Sequence, residues 1–401
     1  MANTATGTAN ALDGGPSTQD EEERERRATW FELFCDLVFV AAVGQVVHRI
    51  GSAPTAASVA AACGLFVPVW WTWVLYAIRA NRLDPDDTVH RLLTMTGMAG
   101  VCGMAVFAGQ VGHGTAQDAG FALSHLAARW MVAVLYAWAA RGDARFGRAA
   151  RSFAAGSAVS SALWLGGLAA PEGPVRWALW AAGMAVELGL PFAVGRHTST
   201  MPGDADHLRE RFGLFTIIVL GEIVLGFTGG LSHARLEPVA ALTGLSAFAL
   251  CACLWWTYFN ASSTRAESHT QIATRPRLRH AYVFGHLPLQ CGLAVAGGVL
   301  GTVVSGGTER LPLSAAACLA GGIAVFLTAG ALVRAAFTGL REGVVRIRLG
   351  VAAAVLGIIP AARALPAAAL PALAAAVLAA GVLVESPVHH HRRRQGGSAV
   401  S

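Results

Sequence analysis

The sequence predicts an all-α integral membrane protein of about twelve transmembrane helices, and three observations predict it. Hydrophobic residues fill 54% of 401 positions and charged residues only 13%, about half the charged share of a soluble domain. So little polar surface cannot coat a water-soluble globule. The apolar residues also gather in runs of about 20, the length a helix needs to cross a bilayer core. Finally, the 30 basic residues are all arginine, and they concentrate in alternate gaps between the runs.

In chain order, residues 1–26 are Gly/Thr/Ala-rich, then acidic, then basic, without the apolar core of a signal peptide. They are expected to form a disordered cytoplasmic tail, the first span itself acting as the insertion signal. Spans follow at 30–49, 55–78, 92–112, 119–140, 152–170 and 175–195. A cytoplasmic linker at 197–211 leads to six more at 212–231, 238–259, 281–304, 312–333, 349–364 and 366–385, and a basic tail occupies 387–401. Prolines between 360 and 371 make the last two spans the least regular. All seven cysteines lie inside these runs, and Cys251-x-Cys253 has neither zinc-knuckle nor thioredoxin spacing, so they read as small packing residues.

With the N-terminus inside, 24 of the 30 arginines fall in cytoplasmic segments and five in outer ones, Arg129 lying within a span. This positive-inside bias places both termini in the cytoplasm, which an even number of spans requires. The two sets of six also resemble each other. WFELFCDLVFV at 30–40 aligns with RFGLFTIIVLG at 211–221, WWTW at 70–73 with WWTY at 255–258, and VCGMAV at 101–106 with QCGLAV at 290–295. Two parallel six-helix repeats, 27–196 and 212–386, are therefore expected, a plan in which transporter sites lie at mid-membrane between the repeats.

The first span departs from apolarity at Glu32 and Asp36, one helical turn apart, and again at Gln45 and His48. A charge at mid-membrane costs about 2.5–3.5 kcal/mol even on insertion scales, so acids there have a partner or a task. This stretch, ELFCDLVFVAAVGQVVH, together with HLRERFGLFTIIVLGE at 207–222, resembles the bacterial low-temperature-requirement A family of multipass membrane proteins. Cys35 stands where that family's wording suggests an aromatic residue. The resemblance implies an integral membrane protein and singles out these two motifs, but it supplies no reaction.

Asp36, Glu32 and Glu222 are the proton-transfer candidates. Asp36 lies about 7–8 Å beyond Phe31, whereas Glu222 lies about 15 Å beyond Phe212, the counterpart of Phe31. Glu187 is placed mid-span in the sixth helix. Arg129 is the one basic residue well inside a span, with His125 one turn before it and His286 in the ninth span. A polar cavity is expected to bring Arg129 to some of Asp36, Glu32 and Glu222, with a register-setting ion pair as the other reading. Arg129, His125, His286, Gln45 and His48 form the expected substrate-binding set, the last two at an outer vestibule or simply at the interface. Trp70, Trp71, Trp255 and Trp256 read as a cytoplasmic aromatic belt or as packing residues, with a stacking wall for a ligand as the other reading, and His207, Arg209, Glu210 and Arg211 as entry anchors. Asp84, Asp86 and Asp87 read as a solvated turn, and HHHRRR at 389–394 as a contact to anionic headgroups.

No metal-ligand set, phosphate loop or nucleophile elbow occurs, so no metal or cofactor is expected. Short arginine-bearing loops without interleaved aromatics make no nucleic-acid surface. The expected partners are membrane lipids and a small-molecule or lipidic substrate. The leading function is a carrier or permease for a small solute, coupled to protons through the buried acids. One alternative is an intramembrane enzyme using a buried carboxylic acid as general acid on a lipidic or isoprenoid substrate. The other is a stress-related scaffold without turnover.

Overall fold

The computed structural model describes residues 29–52, 54–80, 88–142, 145–198, 205–233, 238–262, 271–272, 274–306 and 309–397, without the side chains of 52, 145, 193–198, 233, 261–262 and 386–397. The N-terminal tail 1–26, the acidic turn at Asp84, Asp86 and Asp87, residues 199–204 of the 197–211 linker and the side chains of HHHRRR lie outside the described residues. Among those described, thirteen helices and no strand occur. They are α1 (Trp30–Ser52), α2 (Ala56–Ala80), α3 (Thr88–Ala108), α4 (Thr115–Gly142), α5 (Arg145–Ala169), α6 (Pro174–Thr198) and α7 (Ala205–His233). Then come α8 (Pro238–Ser262), α9 (Pro276–Gly306), α10 (Leu313–Thr338), α11 (Gly343–Leu356), the short α12 (Ile358–Ala361) and α13 (Ala369–Gly397).

Ten of these elements, with α11 and α12 counted as one, are long and apolar enough to cross a membrane. The remaining two long helices are α6 and α13, the latter apolar over Ala369–Glu385, so the expected count of twelve exceeds by two the number that meets both length and apolarity among the described residues. Local chemistry sets the helix ends. Thr29 and Glu32 form a capping box at the start of α1: Thr29 N–H donates to Glu32 Oε2 at 2.8 Å and Glu32 N–H to Thr29 Oγ1 at 3.2 Å. Proline opens α6, α8 and α9, where its missing N–H costs nothing. The eleventh span is interrupted at Gly357, three residues ahead of Pro360 and the proline-bearing stretch 360–371.

The same neighbours recur in both halves. In the first, α1 packs on α2 and α3, then α3 on α4, α4 on α5 and α5 on α6; in the second, α7 packs on α8 and α9, then α9 on α10, α10 on α11 and α11 on α13. The halves meet where α1 and α2 contact α7 and α9. Glycine lets these backbones approach, as small residues do in membrane interfaces. A Cβ on Gly230 of α7 would stand 2.5 Å from the Gly301 carbonyl oxygen of α9, and one on Gly51 of α1 2.5 Å from that of Gly298. α2 and α9 are the most enclosed spans, while Leu37, Leu92, Leu225, Leu242, Phe248 and Leu383 face outward, as lipid-facing side chains do.

The tryptophans divide between the belt and packing readings. Trp255 and Trp256 are exposed, as belt residues would be, but Trp70, Trp71 and Trp73 are buried. α2 runs through the middle of the bundle, so its WWTW run points in four directions. Trp70 Nε1–H donates to Gln290 Oε1 at 2.6 Å and Trp71 stacks on Phe284. Thr72 faces His125, and Trp73 faces Asp36.

Candidate functional site

The acids of the first span are answered across the interface between the halves. Asp36, 4% exposed, accepts hydrogen bonds on Oδ1 from Arg211 Nη2 at 2.7 Å and from Trp73 Nε1 at 2.8 Å. Phe212 and Phe215 pack on the Trp73 ring and fix its edge toward the carboxylate. One turn back along α1, Glu32 Oε2 accepts from His207 Nε2 at 3.2 Å, and Arg211 Nη1 lies 3.7 Å from the same oxygen. Glu32 therefore caps its own helix and holds α7 with one carboxylate oxygen. Hydrogen-bonding capacity remains unused: Glu32 Oε1, Asp36 Oδ2, and Arg211 Nε and Nη1 are buried without a hydrogen-bond partner.

Glu222 lies on the same interface. It is 7% exposed, no hydrogen bond to it is found among the described residues, and a Cβ on Gly44 would stand 3.1 Å from its Oε1. Gly44 follows Asp36 by two turns, so Glu222 sits about 12 Å farther along α1. Two tiers result, an acid–arginine–histidine cluster and a solitary carboxyl group beyond it.

Arg129 does not join them. The structure pairs Asp36 with Arg211 instead, and the expected cavity shared by Arg129, Asp36 and Glu222 gives way to two separate clusters. Arg129 is fully buried among α2, α4, α5 and α6, with its Nε 3.2 Å from Glu187 Oε2 and its guanidinium over the Phe153 ring. The other Glu187 oxygen accepts from Ser160 Oγ at 2.5 Å and from His125 Nε2 at 3.2 Å. Trp164 packs against His125.

The remaining expected binding residues are distributed differently. His286 is fully engaged: Nδ1–H donates to the Tyr282 carbonyl at 2.7 Å and Nε2 accepts from Tyr258 O–H at 3.0 Å. It ties α8 to α9. Gln45 and His48 lie on the exposed face of α1 with Phe34, Leu37 and Ala41, turned away from the acids. Sequence reasoning did not select Trp73, His207 or Arg211 as site residues. The last two stood inside the second motif, and their proximity to Glu32 and Asp36 is the signal that motif carried.

A bundle of apolar helices that buries paired charges between its spans defines a multipass integral membrane protein. Residues 27–383 match the family model described as bacterial low temperature requirement A protein (LtrA), and the chain belongs to that family. It is similar to a protein of Rhizobium meliloti (strain 1021) described as uncharacterized, with 30% identity over 296 residues, 71% of this chain and 70% of that protein. No solved structure matches it. Both motifs of the resemblance meet at Asp36 and Arg211.

Proposed function

We propose that this chain is a carrier for a small solute in the cell membrane, with both termini cytoplasmic, and that Asp36, Glu32 and Glu222 couple it to protons. The observation that carries this reading is where the acids lie. All three occupy the seam where α1 meets α7, and none is in the lipid-facing shell. Asp36 and Arg211 belong to different halves, so their bond is one that relative movement of the halves breaks. A proton on Asp36 competes with Arg211 for the same carboxylate, which makes protonation and release of the seam one event. Glu222, with no cation at hydrogen-bond range, is the next station for a proton along that seam. Inward-facing acids of this kind mark proton relays in transport proteins.

The test is proton flux into sealed proteoliposomes under an imposed pH gradient, for wild type, Asp36→Asn and Glu222→Gln, each confirmed as folded in detergent. Flux in wild type that both substitutions abolish is the expected outcome. Equal flux in all three would sink the coupling role. Conversion of a lipid or prenyl extract by the purified protein, read as a mass change, would transfer the acids to an enzymatic role.

A further inference from the structure

We propose that the compartment enclosed by α2, α4, α5 and α6 is a binding site for a small monovalent anion, held by Arg129. The inference builds on the carrier reading by naming the class of its cargo.

The guanidinium of Arg129 is 0% exposed, yet none of its nitrogens has a hydrogen bond. Its Nε is close to Glu187 Oε2 but poorly aligned, and Nη1 and Nη2 reach no acceptor. A buried unpaired donor costs about 1–3 kcal/mol, more when charged. The fork of a guanidinium is matched by a bidentate oxyanion or a single halide. A second donor is placed beside it. Phe153 lies under Arg129 and Ser160 bonds Glu187, and Ser157 falls between them on the same face of α5. Its hydroxyl is also buried without a partner.

The charge balance points the same way. Thr72 gives its hydroxyl hydrogen to the Pro68 carbonyl at 2.7 Å, so its oxygen faces His125 Nδ1, at 3.4 Å, as an acceptor. Glu187 Oε1 faces His125 Nε2 as an acceptor too. The compartment then holds Arg129 and His125 beside one carboxylate, Glu187. The other ionisable groups on its walls are Tyr76 and Arg79 of α2 and Tyr136 of α4. Among the described residues no second carboxylate pairs with Arg129, and Arg79 is met by His90 and Thr94 rather than by an acid. Arg129 and Arg79 thus stand against Glu187 alone among the described residues, and one bound anion balances that charge and accepts from Arg129 and Ser157.

The experiment is thermal unfolding of the full chain in detergent, titrated with sodium chloride, sodium acetate or sodium nitrate against sodium gluconate at constant ionic strength. A ligand that binds only the folded state raises the midpoint in a saturable way. Wild type is expected to show such a rise with at least one probe. Arg129→Lys, which keeps the charge and loses the fork, should weaken the apparent affinity at least about tenfold, and Ser157→Ala about threefold. Ser157→Ala removes one hydroxyl, so it keeps the test alive if Arg129→Lys does not fold. No saturable rise in wild type, or a rise of unchanged affinity in the variants, overturns the site. Binding in detergent needs no sealed compartment, so this result and the proton-flux result fail independently.

Discussion

Asp36 and Arg211 show what a buried charge demands of a single residue. Removing one partner of a buried pair leaves the other uncompensated, at a cost of about 3–5 kcal/mol. Asp36→Asn and Arg211→Gln are each expected to lower the unfolding midpoint in detergent. The double substitution should recover part of the loss, a coupling on the order of 0.5–3 kcal/mol. Glu172→Gln is the contrast, because Glu172 is 54% exposed and lies 3.8 Å from Arg176, and an exposed pair contributes at most about 1 kcal/mol. Simple additivity in the Asp36–Arg211 cycle would show that the pair is not coupled. The acids were legible in the sequence because a carboxylate in an apolar run has no bland explanation. Arg211 was not, because an arginine at the cytoplasmic end of a span already has one. Its long side chain lets a residue at the entry of α7 reach an acid more than a turn into α1, and span position alone does not show that reach.

At the scale of the helix, two adjacent glycines of α7 separate the roles of space and of backbone propensity. A Cβ on Gly230 would stand 2.5 Å from the Gly301 carbonyl oxygen, while one on Gly229 meets nothing within 4 Å. Gly230→Ala should push α7 from α9 and destabilise by about 1–3 kcal/mol, as overpacking does. Gly229→Ala is expected to be neutral or to stabilise by up to about 1 kcal/mol, since it only removes glycine's entropic cost in a helix. Thermal unfolding of both variants checks this, and equal midpoints would mean that the α7–α9 approach is looser than it stands here. The central place of α2 was also partly readable. Residues 56–78 have no charged side chain and no polar face, and a helix apolar all round is buried. Trp70 and Trp71 accordingly take the packing side of the belt-or-packing reading. In the second half, where Trp255 and Trp256 are exposed, the belt side agrees with the structure.

For the molecule as a whole, the open question is whether the last helix of each half crosses the membrane. α6 and α13 are the two long helices outside the ten, α6 for lack of apolarity and α13 because its apolar run, Ala369–Glu385, is short, and they hold the same place in the two sets of six. Each also brings one buried glutamate to an arginine of its own half. Glu187 of α6 answers Arg129 of α4, and Glu385 of α13 takes Arg348 of α11 at 2.9 Å. A helix docked by such a pair is held against its bundle by more than hydropathy, so neither the modest apolarity of α6 nor the short apolar run of α13 keeps it out of the membrane. The two sets share this feature and an order of neighbours, and a duplication with parallel halves would need six crossings each. The arginine distribution makes the same demand, because skipping α6 would turn the second half over and carry its arginines outside. A phosphatase, active only outside, and a fluorescent reporter, active only inside, fused in turn after residue 200 and after residue 401, distinguish these arrangements. Fluorescence without phosphatase activity at both positions is expected. Phosphatase activity at 200 would invert the second half and remove the parallel repeat, whereas activity at 401 alone would reduce the crossings by one and leave α13 on the outer surface.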